Sequence, residues 1–161
     1  MGILKKILDL LTPSDRTMVS MVTHQQLVEL LLPKQYWHGN RAENIAYLAE
    51  KRLILEVPAP TRVKLFMWGL EHKDEAVRHA CAEHLCAVDL PEVTDALASS
   101  LDDPSHHIRF QAALHLEYHA NRFYPGQVST ILQRIATTLG SETNDHVREC
   151  LEEAFQRLER F

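Results

Sequence analysis

Three nine-residue stretches decide the fold: VRHACAEHL at 77–85, IRFQAALHL at 108–116 and VRECLEEAF at 147–155. Each begins with a β-branched residue and an arginine, passes two variable positions and small or apolar residues, and ends on a large apolar residue. An acidic or Ser/Thr-rich turn precedes each one: EHKDEA, LDDPSHH and SETNDH. The stretches start 31 and 39 residues apart. This period is typical of stacked helical hairpins.

The apolar residues of these stretches recur at i, i+4, i+8 and i+11, which predicts one buried stripe on each of three helices. The stripes are Val77, Cys81, Leu85 and Val88; Ile108, Ala112, Leu116 and His119; and Val147, Leu151, Phe155 and Leu158. Strand signals are nearly absent, because the chain has no sustained alternation of apolar and polar residues. We therefore expect an all-α protein in which stacking joins the stripes of neighbouring hairpins.

The turn followed by Val/Ile-Arg and small residues resembles the second helix of HEAT-type repeats, most clearly over residues 60–161. A more degenerate hairpin is expected at 24–54. The resemblance implies a right-handed α-α solenoid of about four hairpins, within a repeat domain spanning 15–161. It implies little about activity, since such repeats serve scaffolds and enzymes alike.

Composition limits the classes of protein to consider. The 161 residues suffice for one domain with its own core. The net charge of −5 argues against nucleic acid as the main partner. Three cysteines without CxxC spacing argue against disulfides and zinc ribbons. No run approaches the ~18 apolar residues of a transmembrane helix, and the N-terminus lacks the long apolar core and cleavage site of a signal peptide, so we expect a cytoplasmic protein.

The arginines of the three stretches hold the same place in the repeat. They are Arg78, Arg109 and Arg148. We predict a structural role for them, as a ladder that bridges each hairpin to the acidic turn of its neighbour. A residue with a role in substrate binding would be expected once rather than three times.

The first stretch also resembles a metal-bearing repeat of deoxyhypusine hydroxylase, a HEAT-repeat di-iron family in which a His-Glu pair recurs at this point. His79 matches the histidine, but Ala80 replaces the glutamate, and the later repeats do not restore the pair. A di-iron site needs several carboxylates and imidazoles from different helices. We therefore expect no metal, no cofactor and no catalytic residues.

Two further histidine patterns have competing interpretations. HLEYH at 115–119 places two imidazoles on one helix face, where they could chelate an ion or lie buried on backbone or water hydrogen bonds. We favour the buried alternative. His84 and His115 share one repeat position, so they could also meet at a seam between hairpins and titrate against each other.

The outward stripe of the second helices is the candidate binding surface. In the middle repeat it is apolar and aromatic, whereas its neighbours are charged, as expected for a partner-binding groove with a polar rim. The predicted partner-binding residues are Phe110, Leu114 and Tyr118, with His79, Glu83, Glu149 and Glu153 as the rim. Alternatively, a terminal segment or the loop at 120–127 covers the stripe.

Residues 1–14 form a separate amphipathic element. GILKKILDLL at 2–11 places its isoleucines and leucines on one helical face, opposite Lys5, Lys6 and Asp9. It could cap the solenoid, dock on a partner or lie on a membrane surface. We favour the cap or docking helix.

The leading functional hypothesis is a non-enzymatic adaptor or scaffold that binds a protein partner. A metal-dependent or lyase-like enzyme using the histidine-rich helices is the first alternative. An adaptor recruited to a membrane by its N-terminal helix is the second. The apolar stripe could also be the seam of a homo-oligomer.

Overall fold

The computed structural model describes residues 23–33, 41–123 and 125–160. Within these ranges the regular structure is helical and contains no strand. The α-helices are α1 (His24–Glu29), α2 (Arg41–Glu56), α3 (Ala59–Gly69), α4 (Glu75–Cys86), α5 (Pro91–Ser99), α6 (His106–His119), α7 (Pro125–Leu139) and α8 (Asp145–Leu158). Short 3₁₀ turns follow α5 at Ser100–Asp102 and α6 at Ala120–Arg122.

Consecutive helices pack against each other in three pairs: α1 with α2, α5 with α6, and α7 with α8. At the end of α3, Gly69 lies close to Cys81 of α4. This confirms the expectation of an all-α array of helical hairpins, in which α4, α6 and α8 are the second helices. The right-handed sense of the solenoid stays a prediction. The N-terminal element at 1–14, with its proposed uses, lies outside the described residues.

The chain forms two compact units, Met1–Cys81 and Ala82–Phe161. In the described part of the first unit, α1 begins with a capping box. The Gln26 backbone N–H donates to Thr23 Oγ1 over 3.3 Å, and the Thr23 N–H donates to Gln26 Oε1 over 2.9 Å. These bonds satisfy backbone donors that every helix start leaves free. The core of this unit includes Leu27, Val28, Ile45, Ala49, Leu53 and Phe66.

In the second unit the predicted stripes of α6 and α8 form the core. The fully buried side chains include Ile108, Ala112, Leu116, Val147, Leu151 and Leu158. The stripe of α4 is confirmed at Val77, Cys81 and Leu85, whereas Val88 and Phe155 are only partly buried. Val88 lies beyond the end of α4, so the helical period no longer directs its side chain.

The repeated arginines hold the turns before the second helices. In all three repeats the guanidinium donates to the backbone carbonyl six residues earlier. The pairs are Arg78 to His72, Arg109 to Asp103 and Arg148 to Glu142. The predicted bridge to the neighbouring repeat is present at Arg109, which also pairs with Glu142, 33 residues further on. The common role of this position is therefore to close its own turn, and the bridge is an addition to it.

Candidate functional site

The apolar stripe of α6 points away from the core of the second unit. Tyr118 is 71% exposed, and Phe110 and Leu114 are half-buried. Ile108, two residues before Phe110, is fully buried. The three side chains follow one another at i, i+4 and i+8, so they lie along one line of the helix surface. Their outward orientation follows from the helical period, because the buried stripe of α6 lies on the opposite side of the helix.

The helix α8 runs beside α6 in the same direction. Near the start of α6, Arg109 pairs with Glu142 in the turn just before α8, with Nε to Oε2 at 2.7 Å and Nη2 to Oε1 at 2.9 Å. Near the end of α6, the Glu117 carboxylate accepts from Arg157 Nη2 at 3.2 Å, and its carbonyl accepts from Arg157 Nη1 at 3.0 Å. Contacts that join start to start and end to end require parallel helices.

On α8, Glu149 and Glu153 occupy the repeat positions that Phe110 and Leu114 occupy on α6. The side chains of Glu149 and Glu153 are 73% and 59% exposed. Glu153 Oε2 lies 3.0 Å from Arg157 Nη2, so one guanidinium serves the carboxylates of both Glu153 and Glu117. We call the surface formed by Phe110, Leu114 and Tyr118 of α6 with Glu149 and Glu153 of α8 the docking face.

The pKa of the Cys150 thiol is raised by burial and by the nearby carboxylates of α6 and α8. Burial raises its pKa to about 12, helped by its hydrogen bond to Glu117 and by the negative charges of Glu117, Glu153 and Glu149. A thiolate would repel these carboxylates, so the thiol keeps its proton. The reactive, low-pKa environment of a catalytic cysteine is therefore not found at Cys150.

Two predicted rim residues lie on α4 and differ in exposure. The side chain of His79 is only 3% exposed, so it cannot contribute to an accessible rim, and this part of the prediction needs correction. Glu83, one turn further along, is half-buried. The helical period gives the direction of a side chain, but burial depends on what packs there, and Ala80 beside His79 is buried as well.

The two histidines of HLEYH, at 115 and 119, are buried and bonded to backbone, which is the alternative that the sequence favoured. His115 Nδ1 lies 2.8 Å from the carbonyl oxygen of Cys86, the last residue of α4, and His119 Nε2 lies 3.3 Å from the same oxygen. A carbonyl only accepts, so both ring nitrogens carry protons. The two imidazoles thereby satisfy a carbonyl at a helix end that lacks an intrahelical partner.

The tautomer of His115 follows from its contact with the Cys86 carbonyl. Burial lowers its pKa to about 4, so the ring is neutral at pH 7 with its proton on Nδ1. Nε2 therefore accepts from the hydroxyl of Thr94 on α5, at 3.0 Å. Thr94 and Cys86 therefore bind both ring nitrogens of His115, the residue that the sequence suggested could meet His84 at a seam. The neighbouring imidazole is His119, at 4.5 Å between ring centroids.

The second ring nitrogen of His119, Nδ1, lies near the carboxylate of Asp89 but beyond hydrogen-bond distance. Among the described residues, no group makes a hydrogen bond to its Nδ1, and Asp89 Oδ1 is 3.8 Å away. Asp89 is also paired with Arg122, with Oδ2 and Nη1 3.3 Å apart. Within the described ranges, no three His, Cys, Asp or Glu side chains are grouped so that they could hold a metal ion.

A cleft of about 850 Å³ opens at the C-terminal end of α8, and the sequence contained no signal for it. Its walls are Ala120, Asn121, Phe123, Pro125, Val128, Ser129, Leu132, Leu158 and Glu159. The volume suits a small molecule. Of these wall residues only Glu159 is titratable, so they provide no pair of groups for acid–base chemistry.

None of the described helices is both long and apolar enough to cross a membrane. A family model described as HEAT repeats matches the chain twice, over residues 41–117 and 63–156. No curated protein and no solved structure matches the chain.

Proposed function

The chain belongs to the HEAT-repeat family, and we propose that it is a non-enzymatic protein-interaction module, an adaptor or scaffold. HEAT repeats commonly mediate protein–protein interaction. In this proposal the partner is a peptide or helix that binds along the docking face. His79 is left out of the binding residues because it is buried.

The observation that carries the proposal is the outward apolar stripe on α6, which is exposed at Tyr118 and half-buried at Phe110 and Leu114. Tyr118 presents most of its ring to solvent, and Phe110 and Leu114 continue the stripe along the helix. Aromatic and large aliphatic side chains in line, with charged residues beside them, are the arrangement that concentrates binding energy in protein interfaces. Leu114 is central to the stripe and is the residue to change first.

We predict that Leu114→Asp abolishes partner capture and leaves the fold intact. A carboxylate at the centre of the stripe must lose its water when the apolar side of a partner packs on it, and apolar groups offer it no hydrogen bonds in return. Affinity should fall by about 30-fold or more. The melting temperature should change by no more than about 3 °C, because the side chain lies outside the core.

The test compares wild type, Leu114→Asp and Leu55→Asp in affinity capture from native lysate, followed by mass spectrometry. Leu55 is the matched control, since it is 71% exposed and lies on α2, away from the docking face in sequence. A partner retained by wild type and Leu55→Asp but lost by Leu114→Asp supports the proposal. If all three proteins capture the same set, the docking face is not the interface.

A further inference from the structure

We propose that the docking face is built for a basic amphipathic helix, whose apolar side meets the α6 stripe and whose lysines or arginines meet Glu149 and Glu153. This inference rests on the proposed function and adds the chemistry of the partner. It commits to a cationic helical segment. An acidic or uncharged partner is an outcome of the test that would overturn it.

The length and straightness of the stripe suit a helix. From Phe110 to Tyr118 the stripe advances eight residues along α6, about 12 Å at 1.5 Å per residue. This matches two turns of a partner helix, which presents apolar side chains at the same i, i+4 and i+8 spacing. The parallel course of α6 and α8, shown by the Arg109–Glu142 and Arg157–Glu117 contacts, extends this surface sideways.

The charges near the docking face favour a positively charged partner. At the C-terminal end of the α6–α8 seam, Arg157 is shared between Glu117 and Glu153. Glu149 adds a third carboxylate on α8, with His146 Nδ1 at 3.7 Å from its Oε2. At the other end of the seam, Arg109 is paired with Glu142, and Arg148 donates to the Glu142 carbonyl. The first three carboxylates therefore outnumber the guanidinium of Arg157 and leave excess negative charge on their part of the seam.

The half-buried thiol of Cys150 lies close enough to the same carboxylates for their charge to act on it. Its proton is held by these three carboxylates as well as by burial. A field that disfavours one more negative charge between the helices also disfavours an acidic ligand and attracts a cationic one. The whole chain carries −5, so the test must separate this local field from the general charge.

The experiment measures fluorescence anisotropy with labelled synthetic 14-residue peptides. The first has leucines on one helical face and lysines on the other, the second replaces every lysine by glutamate, and the third has the composition of the first in scrambled order. The proteins are wild type, Leu114→Asp, and Glu149→Gln/Glu153→Gln. The matched control is Glu71→Gln/Glu92→Gln, which removes two exposed charges elsewhere.

We expect wild type to bind the leucine/lysine peptide at least 10-fold more tightly than the glutamate and scrambled peptides. Glu149→Gln/Glu153→Gln should reduce this preference at least fivefold, while Glu71→Gln/Glu92→Gln should reduce it less than twofold. The preference should also weaken from 50 to 300 mM salt, because these charges are exposed.

The two proposals fail differently. Equal binding of the lysine and glutamate peptides, with both lost in Leu114→Asp, would keep the docking face and overturn the basic partner. Equal binding of the ordered and scrambled lysine peptides, or equal effects of the two double variants, would mean that the overall negative charge of the chain attracts the peptide. Either result would also overturn the proposal of a basic helical partner. Peptide binding unaffected by Leu114→Asp would instead contradict the proposed function.

Discussion

At the scale of single residues, the repeated arginine has the same role in all three repeats: it donates to a carbonyl of the turn before its own helix. Each turn before a second helix exposes carbonyls that need donors, and a guanidinium offers five N–H groups in a fixed planar fork. Arg78 and Arg109 each reach two successive carbonyls of their own turn. Arg62, near the start of α3, similarly donates to the carbonyls of Ile54 and Val57.

His115 shows how a single buried polar residue makes stability depend on pH. It is fully buried and neutral, and its pKa is lowered to about 4 by burial. The unfolded chain, with an ordinary histidine pKa near 6.5, takes up a proton at higher pH than the folded chain does. Stability from this residue is therefore present above pH 6.5 and declines as the pH falls towards 4.

We predict that His115→Gln flattens this part of the pH profile. Wild type should lose about 2 kcal/mol of unfolding free energy between pH 6.5 and 4 through this residue, and the variant should lack that loss. Urea unfolding followed by circular dichroism at several pH values measures it. The exposed His24→Gln is the control, and equal slopes for wild type and His115→Gln would contradict the prediction.

At the scale of helices, close approach within the first unit depends on Gly69. A Cβ added there would lie 2.3 Å from Cys81 Sγ on α4 and 3.0 Å from Val28 Cγ1 on α1. Real Cβ atoms do not approach so closely, so a side chain at this position requires either Cys81 Sγ to shift or the helices to move apart. The hairpin of α3 and α4 therefore requires the glycine for packing rather than for its backbone conformation.

We predict that Gly69→Ala destabilises the protein by about 2 kcal/mol, although alanine favours helices by up to about 1 kcal/mol. Adding Cys81→Ala removes the nearest atom and should recover part of the loss, so the two changes should couple in a double-mutant cycle. Chemical unfolding of the four proteins gives the coupling. A stabilising Gly69→Ala would show that the contact is looser than described.

The helical hairpins and most of the buried stripes were predictable from the sequence, but the burial of the outward positions was not. His79 and Phe110 hold the same place in the repeat, yet His79 is buried and Phe110 is half-buried. Periodicity is a local property of each helix, and it gave both the same direction. What covers each position comes from elsewhere in the chain, which local patterns do not record.

At the scale of the whole molecule, Arg109 and Glu142 join successive hairpins of the array. The Glu142 side chain is 1% exposed and also accepts from the backbone N–H groups of Thr143 and Asn144, both at 2.9 Å. The Arg109 hydrogen bond lowers the pKa of Glu142 to about 2. In repeat proteins such contacts between neighbours supply much of the cooperativity.

We predict that Glu142→Gln lowers the unfolding free energy at pH 7 by about 2 kcal/mol or more, since it leaves the guanidinium without its counter-charge. The contribution of Glu142 is present above its unfolded pKa of 4.5 and is lost as the pH falls towards 2. The gap between wild type and variant should close over that window. The exposed Glu152→Gln should show no such gap in the same unfolding experiment.

The sequence alone determined the helical nature of the chain, the hairpin repeat and most of the buried stripes, because these follow from local periodicity and turn chemistry. It also determined which side of α6 points outward. Only the tertiary structure decided that His79 is buried, that His115 pairs with Thr94 and Cys86, and that Arg157 joins α8 to α6. These features depend on groups brought together from distant parts of the chain, and a pattern within one helix does not specify its neighbours.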